Sequence, residues 1–272
     1  MAETKLRAKL LVKPGSKVDL SKYDPAYTAG FTSKAEAKSS LGKNVKRLAD
    51  LQYVLYAEDK RAVLIVFQAM DAGGKDGTIR HVMSGLNPQG CPVTAFKVPS
   101  AEEADHDYLW RIHKALPPKG EIGIFNRSHY EDVLAVRVRK IVPEKVWSKR
   151  FDQINAFEKI LTENDITILK FFLHVSKDEQ KKRLLRRLED PRRMWKASPA
   201  DFEERELWDC YVRAYEDVLS RCSTREAPWF IIPADKKWFR NLAVSEIIVD
   251  ALEEMDMKFP EPPFDPEDVV VE

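Results

Sequence analysis

Five short apolar runs recur along the chain, and polar segments long enough to form helices separate them. The runs are residues 62–67, 92–98, 121–125, 167–173 and 229–232. Short runs rich in β-branched and aromatic residues are typical of strands that are buried on both faces of a sheet. Strands that alternate with helices are joined by right-handed crossovers, which make neighbouring strands parallel. The pattern therefore predicts an α/β fold with a five-stranded parallel sheet covered by helices on both faces.

Apolar positions between these runs recur at helical spacing. The predicted helices span residues 34–58, 74–84, 100–115, 143–162, 176–188, 200–221 and 238–255. Prolines and glycines interrupt the start of the chain, so we predict an extended arm at 1–33 that packs on the main domain or on a neighbour. The main domain is predicted at 34–258, and an acidic, proline-rich tail follows at 259–272.

A glycine-rich turn that carries one lysine follows the first apolar run. Its glycines allow backbone N–H groups to point at phosphate oxygens, and Lys75 adds a positive charge where the next helix begins. Compared with the pattern G-x-x-x-x-G-K-[ST], Ala69 replaces the first glycine and Asp76 replaces the magnesium-binding hydroxyl. Asp71 would repel a phosphate unless a cation lay between them, which predicts that Asp71 binds Mg²⁺. In the alternative interpretation, Lys75 is an ordinary surface residue and Asp71 only shapes the loop.

Polar residues follow two other predicted strands, at the sheet edge where α/β proteins bind ligands. Asn126 and Arg127 end the third strand, and the planar guanidinium of Arg127 suits a phosphate or, alternatively, a neighbouring carboxylate. Glu131 is a candidate metal ligand or acceptor-selecting residue, and it equally suits the start of a helix. Lys237 and Arg240 follow the last strand, where they reach the same edge or simply belong to the first turn of a helix.

Basic residues are concentrated after the fourth predicted strand, where nine basic and four acidic residues fall within twenty positions. Arg183 and Arg187 share one face of the predicted helix, and the series continues through a proline-containing loop to Arg193 and Lys196. We predict a helical lid at about 183–205 that closes over the transferring phosphates. The alternative is a solvated charged face.

Composition narrows the class of protein. The formal net charge of +1 gives no overall attraction to nucleic acid or to a membrane, and the basic segment lacks the interleaved aromatic residues of a nucleic-acid stacking platform. The three cysteines show no C-x-x-C pairing, which argues against a disulfide framework or a zinc site and favours a reducing cytosol. No segment approaches the roughly eighteen apolar residues of a membrane span. We therefore expect a cytoplasmic protein that binds neither nucleic acid nor membrane.

Four segments together resemble polyphosphate kinase family 2. They are the loop at residues 71–75, the segment 125–133, the Trp-Lys pair at 195–196, and the segment 232–241. The resemblance implies a thymidylate-kinase-like, three-layer α/β/α P-loop kinase fold with a helical lid. It implies Mg²⁺-dependent transfer of a terminal phosphoryl group from inorganic polyphosphate to adenine nucleotides. Asn126 and Glu131 resemble the subgroup that phosphorylates both AMP and ADP.

The resemblance also implies residue roles. Asp71, Lys75, Arg127 and Glu131 are expected to be catalytic, and Asp71 is also the expected metal ligand. The expected substrate-binding residues are Ala72, Gly73, Gly74, Asp76, Gly77, Thr78, Asn126, Arg183, Arg187, Arg193, Lys196, Lys237 and Arg240. Other subgroups have aspartate where this chain has Asn126, so no direct metal role is assigned there. We also expect a homo-oligomer.

Two other functions remain open at this point. An ATP-dependent nucleoside monophosphate kinase would share the fold and the lid and would differ in its donor. A nucleotide-gated switch or binding module is the non-enzymatic alternative. Such a switch usually retains the Ser or Thr that Asp76 replaces, and this substitution counts against it.

Overall fold

A five-stranded, fully parallel sheet forms the centre of the molecule in a computed structural model, which describes residues 6–265. The strands are β1 Ala62–Ala69, β2 Val93–Ala95, β3 Ile122–Asn126, β4 Ile166–His174 and β5 Trp229–Pro233. Their order across the sheet is β2-β3-β1-β4-β5. The predicted number, direction and alternation of strands are confirmed. Because β1 lies at the centre, the loop that follows it opens between the ends of its neighbours β3 and β4.

Twelve α-helices and three short 3-10 segments surround the sheet in the described part of the chain. The α-helices are α1 Leu6–Leu10, α2 Lys34–Glu58, α3 Lys75–Val82, α4 Ala101–Ala104, α5 Trp110–Lys114, α6 Ala135–Val138, α7 Glu144–Glu163, α8 Lys177–Glu189, α9 Pro191–Met194, α10 Pro199–Glu206, α11 Trp208–Arg221 and α12 Lys237–Glu253. The 3-10 segments are Leu20–Lys22, Pro88–Gly90 and His129–Asp132. Helices α2 and α12 pack together on one face of the sheet, and α7 packs against β4 on the other. The three-layer prediction is confirmed.

The core is built from aromatic and branched side chains at corresponding positions of adjacent strands. Phe67 on β1 is the register partner of Phe171 on β4, and Phe171 is the partner of Phe230 on β5. Their ring centroids lie 5.4 Å and 5.7 Å apart, so one aromatic row crosses three strands. Cross-strand pairs of this kind fix the register, and here they fix the level at which the ligand-facing ends of the strands lie.

Two helices predicted as continuous are each broken. The helix predicted at residues 100–115 is interrupted after α4, because the carboxylate of Asp107 accepts the backbone N–H of Leu109 at 2.9 Å and starts a new turn. The helix predicted at residues 200–221 is interrupted at Leu207, whose N–H bonds to the carbonyl of Glu204 three residues earlier, at 3.1 Å. Apolar spacing alone predicts the face of a helix but not these local competing bonds.

The start of the described chain packs on the outer edge of the sheet. Leu6 and Leu10 of α1 are buried, and the N–H of Val12 donates to the carbonyl of Trp229 at 2.9 Å. Leu11 forms an antiparallel bridge with Phe230. The first five residues of the arm predicted at 1–33 lie outside the described part of the chain. The last seven residues of the tail predicted at 259–272 also lie outside it. Within residues 6–265, no helix is long and apolar enough to cross a bilayer.

Candidate active site

The glycine loop leaves the carboxyl end of β1 and turns directly into α3. Ala72 and Gly74 adopt left-handed φ angles of 57° and 107°. A Cβ atom at Gly73 would lie 2.6 Å from the nearest side-chain carbon, and one at Gly74 would lie 1.9 Å from Nη1 of Arg240. The sequence needs glycine at both positions because no side chain fits there. No side chain caps α3, so its first N–H groups remain available to an anion.

Two arginines support this loop from below. Arg183 on α8 donates to the carbonyl oxygens of Ala72 at 3.1 Å, of Gly73 at 3.0 Å and of Ala234 at 2.5 Å. Arg240 on α12 approaches the Gly73 carbonyl at 3.5 Å. The two residues are only 7% and 2% exposed. Arg183 was expected in the lid over the phosphates, but the structure places it beneath the loop, where it fixes the backbone.

The two buried arginines also set the charge of the loop. Nε and Nη2 of Arg240 donate to the side-chain oxygen of Asn241, and no carboxylate is among its partners in the described residues. Burial, together with the nearby charge of Arg183, lowers the pKa of Arg240 to about 9. A cation that is buried without a carboxylate partner attracts an anion strongly. Arg183 is paired with Glu179 at 2.9 Å, so Arg240 is the arginine beneath the loop whose charge a bound anion would balance.

Lys75 begins α3, and its Nζ donates to the carbonyl of Ala69 at 3.1 Å. Burial lowers its pKa below the ordinary value, and the positive charge of Arg127 lowers it further, against the opposing effect of Asp71 and Glu131. A phosphate bound beside Lys75 would reverse this shift. The Lys75 side chain thus lies at the loop, and the carboxylates near it do not fully offset the effects of burial and Arg127 on its pKa.

Arg127 follows β3 in a left-handed conformation with φ of 65°, and its N–H donates to the carbonyl of Phe67. Its Nη2 donates to Oδ1 of Asp71 at 2.9 Å. Burial would lower the pKa of Arg127, but Glu131 and Asp71 outweigh it, and the pKa is raised. The carboxylate that pairs with Arg127 is that of Asp71, and this pair joins the two candidate catalytic segments.

Asp76 links three elements at the mouth of the site. Asn126 Nδ2 donates to its Oδ1 at 2.9 Å, and Lys196 Nζ lies 3.3 Å from its Oδ2. Burial alone would raise the pKa of Asp76, but the bonds from Asn126 and Lys196 hold it below its ordinary value. Asp76 was expected to bind substrate at the start of α3. In the structure it also connects the loop to β3 and to the lid segment.

Glu131 lies in the 3-10 turn His129–Asp132, on the side that faces the loop. Its Oε1 accepts a hydrogen bond from Nε2 of Gln68 at 3.2 Å. Glu131 also raises the pKa of both Lys75 and Arg127, so its carboxylate lies close to both cations. The structure brings Glu131 to the site with Asp71, Lys75 and Arg127.

Gln68 is a functional candidate to which the sequence analysis assigned no role. It is fully buried on β1, and its Oε1 has no hydrogen-bond partner among the described residues. A polar residue in an otherwise apolar strand was the signal that could have identified it, because buried polar atoms normally find partners.

The lid segment comprises α8, α9 and α10. Arg187 Nη1 donates to Oδ2 of Asp201 at 3.0 Å, and Arg193 Nε lies 3.0 Å from Oδ2 of Asp190. These pairs brace the segment internally. Gln180 and Arg183 on α8 donate to carbonyl oxygens of the loop, and Lys196, between α9 and α10, reaches the loop through Asp76.

Lys237 lies at the start of α12. Partial burial lowers its pKa, as do the charges of Arg183, Arg240, Arg186 and Arg193. Because four arginines lower the pKa of this one lysine, positive charge is concentrated at this edge.

Two of the remaining predicted binding residues lie within α3. Thr78 is fully buried, and its hydroxyl donates to the carbonyl of Gly74 at 3.1 Å. It therefore closes the first helical turn and does not replace the missing Ser or Thr of the loop. Gly77 lies over Arg240, where a Cβ atom would come 3.5 Å from Nη2.

No group of three or more His, Cys, Asp or Glu side chains suited to a metal ion occurs among residues 6–265. Mg²⁺ does not need such a group, because it is commonly held by one or two carboxylates, water and substrate phosphates. The carboxylate of Asp71 and the unpartnered oxygen of Gln68 are oxygen donors of the right kind. The donor set fits a magnesium ion that arrives with its phosphates.

An uncapped helix start, a glycine loop over buried arginines, and a lysine and an arginine beside two carboxylates define a phosphotransferase site of the P-loop kinase type. The chain belongs to the polyphosphate kinase 2 family. The family model described as Polyphosphate kinase 2 (PPK2) matches residues 31–260.

Relatives and solved structures agree with this assignment. The chain is 50% identical over 265 residues to an AMP/ADP-polyphosphate phosphotransferase of Meiothermus ruber, which covers 97% of this chain and 99% of that protein. It is 48% identical over 262 residues to an ADP-polyphosphate phosphotransferase of Rhodopseudomonas palustris, covering 92% and 91% of the two chains. The crystal structure of polyphosphate kinase 2 from Arthrobacter aurescens matches with a TM-score of 0.93 and 42% identity, over 97% of this chain and 95% of that one.

Proposed function

We propose that this protein transfers the terminal phosphoryl group of inorganic polyphosphate to AMP and ADP, with Mg²⁺, and so forms ADP and ATP. The observation that carries the proposal is the charge around the loop. Lys75 and Arg127 meet the uncapped start of α3, while Lys196 and Lys237 flank it. Positive charge concentrated around one loop suits a reaction in which donor and acceptor both present phosphates. The names of the relatives support the same reaction.

The donor is assigned to the edge that carries Lys237. Polyphosphate is a flexible chain of anionic groups, and it offers the negative charge that Arg240 lacks beneath the loop. Bound there, its terminal phosphate would reach the N–H groups at the start of α3. Asp201 holds Arg187 within the lid segment, whereas Lys196 is placed to move with the ligand as the lid closes.

The acceptor is assigned to the other side of the loop. A cavity of about 370 Å³ opens at the end of β2, and Phe96, Arg111 and Lys114 are part of its lining. The N–H of Phe96 donates to the carbonyl of Asn126 at 3.2 Å, so this cavity adjoins the strand end that carries Arg127. A cavity of this size suits the nucleoside of an acceptor whose phosphate lies at Arg127.

The transfer reaction requires mainly that the protein position the two phosphates and neutralise their charge. An acceptor phosphate oxygen is already ionised at neutral pH, so no general base is needed. Lys75 and Arg127 are placed to neutralise charge on the transferring group and to hold the two phosphates in line. A magnesium ion held by Asp71, with the oxygen of Gln68 nearby, would supply further charge neutralisation.

The name of one of the two relatives described above includes AMP as well as ADP, whereas the name of the other includes only ADP. The choice of acceptor must therefore be argued from this chain's own residues. Glu131 is the candidate residue for this choice, since it faces both Lys75 and Arg127.

An assembly of identical subunits is also part of the proposal, and sedimentation or light scattering would test it.

The decisive assay incubates the protein with long-chain polyphosphate, Mg²⁺ and either AMP or ADP, and resolves the nucleotides by chromatography. We expect ADP and ATP to form, and Lys75→Ala to abolish most of the turnover. A parallel incubation supplies ATP and AMP without polyphosphate. Absence of product at every polyphosphate length would refute the proposal, and robust transfer from ATP alone would favour the nucleoside monophosphate kinase.

A further inference from the structure

A fully buried polar network lies behind the segment that carries Glu131, and the phosphate chemistry described above does not use it. Lys170 on β4 donates from Nζ to Oε2 of Glu158 at 2.5 Å, to the hydroxyl of Tyr130 at 2.8 Å and to the carbonyl of Cys222 at 2.7 Å. The Tyr130 hydroxyl donates in turn to Oε1 of Glu158, at 2.8 Å. Lys170 and Glu158 are 0% and 1% exposed.

Stability does not account for this ion pair. Burying two charges is costly, and apolar side chains of similar size commonly replace a buried pair without loss of stability. Burial alone would raise the pKa of Glu158, but Lys170 and His129 together outweigh it and the pKa is lowered, which favours the Glu158 carboxylate. What a buried, fully hydrogen-bonded pair supplies is a fixed geometry, since each partner accepts few alternative arrangements.

The geometry that it fixes is that of the turn His129–Asp132. His129 and Tyr130 are fully buried, and Nε2 of His129 lies 3.3 Å from the same Glu158 oxygen that accepts from Tyr130. On the other side of the turn, Arg150 donates to both the carbonyl and the carboxylate of Asp132, at 3.0 Å and 2.9 Å. Helix α7 supplies both Arg150 and Glu158, so one helix holds the turn at two points.

Glu131 is the residue of this turn that faces the loop instead of α7. Its backbone is flanked by anchored residues, and its carboxylate meets Gln68 at 3.2 Å. A rotation of the turn would therefore move the carboxylate away from Lys75 and Arg127. Placement errors of about 1 Å cost rates on the order of a hundredfold in well-organised sites.

We propose that Glu158 and Lys170 are positioning residues for the transfer reaction, acting through Tyr130 to orient the Glu131 carboxylate against Lys75 and Arg127. The inference rests on the proposed function, because it assigns these residues a role in the same site. It adds a support that links the turn of the site to β4 and α7. The support touches neither substrate.

The test uses Tyr130→Phe, which removes the hydroxyl shared by Lys170 and Glu158 and keeps the ring. Values of kcat and KM are measured with AMP and with ADP for the wild type, Tyr130→Phe, Glu131→Gln and the double variant. We expect Tyr130→Phe to lower kcat/KM on the order of tenfold in the wild-type background. In the Glu131→Gln background the same change should have almost no effect, because the two residues act as one unit.

Ile247→Val on α12 is the control for general destabilisation, since it removes a buried methylene far from the turn. It should leave the kinetic constants unchanged. Equal losses from Tyr130→Phe in both backgrounds, or unchanged kinetics, would overturn the inference.

A crystal structure of Tyr130→Phe gives a second readout that does not depend on activity. We expect the contact between Gln68 and Glu131 to lengthen or break. An unchanged contact at 3.2 Å would overturn the positioning role even if the wild type proved inactive with polyphosphate. Inactivity of the wild type together with a displaced Glu131 would refute only the proposed function.

Discussion

Replacing Gly74 with alanine tests whether the loop and its buried arginines form one rigid unit. The new Cβ would lie 1.9 Å from Nη1 of Arg240, in a backbone conformation with φ of 107°. The left-handed conformation alone costs a residue with a side chain roughly 1–3 kcal/mol. Arg240 must also move by more than 1 Å to reach an ordinary contact distance of about 3.5 Å. Because Arg240 is 2% exposed, it has no free space in which to move, and it would lose its place under the Gly73 carbonyl.

The two effects together give an expected loss of about 3–4 kcal/mol in the free energy of unfolding. For a chain of this size the loss corresponds to a fall of roughly 5–7 °C in the unfolding midpoint. Thermal unfolding followed by circular dichroism measures the fall, and the polyphosphate assay measures the loss of turnover that should accompany it.

Gly42→Ala is the matched control, because this glycine lies on the exposed face of α2 with no atom within 4 Å of an added Cβ. It should stabilise the protein by about 0.5–1 kcal/mol, as alanine does in the interior of a helix. If Gly74→Ala unfolds at the same temperature as Gly42→Ala and keeps full turnover, the reasoning about a rigid loop is wrong.

Three further predictions concern the carboxylates and the lysine of the site. Asp71→Asn should lower kcat by about 10²–10³-fold, because one preorganised charge at the transferring group contributes a rate factor of that size. The circular dichroism spectrum should be unchanged, and near-normal turnover would remove Asp71 from the mechanism. Glu131→Asn should reduce AMP phosphorylation more than ADP phosphorylation, whereas equal losses in the two assays would assign Glu131 to catalysis in general. The pKa of Lys75 is lowered from 10.5, so the folded state binds fewer protons than the unfolded state just below that pH, and stability should rise with pH there. Lys75→Met should reduce this rise, while Lys237 and Arg240, whose pKa values are also lowered, still contribute to it. The free energy of unfolding, measured in urea at several pH values, tests this, and the same slope in the two proteins would contradict the assignment.

The sequence was sufficient for the strands and the loop, because both depend on short stretches of chain. Apolar runs bounded by helices predicted all five strands, and glycines between a strand and a lysine predicted the turn at Gly73 and Gly74. The gathering of Asp71, Lys75, Arg127 and Glu131 also followed from the rule that parallel strands end at one edge. These inferences needed only periodicity and chirality.

Packing decided what the sequence did not reveal. Arg183 and Arg187 share a face of α8 by spacing, but one lies under the loop with carbonyl partners and the other pairs with Asp201. No local pattern states which turn of a helix meets another element. Gln68 and Lys170 were overlooked for a similar reason, since one polar residue within an apolar strand gains its meaning only from the partner that burial brings to it.

The arm that pairs with β5 has a consequence for how the protein behaves in concentrated solution. A parallel sheet has two edge strands, and an uncovered edge invites pairing with another chain and aggregation. The edge strand β2 has only three residues, Val93–Ala95, which offers little to pair with. The longer edge, β5, is covered by Leu11 and Val12. A version of the chain that lacked these residues would expose β5, and we expect it to aggregate through that strand while the loop on the other side of β4 stayed folded.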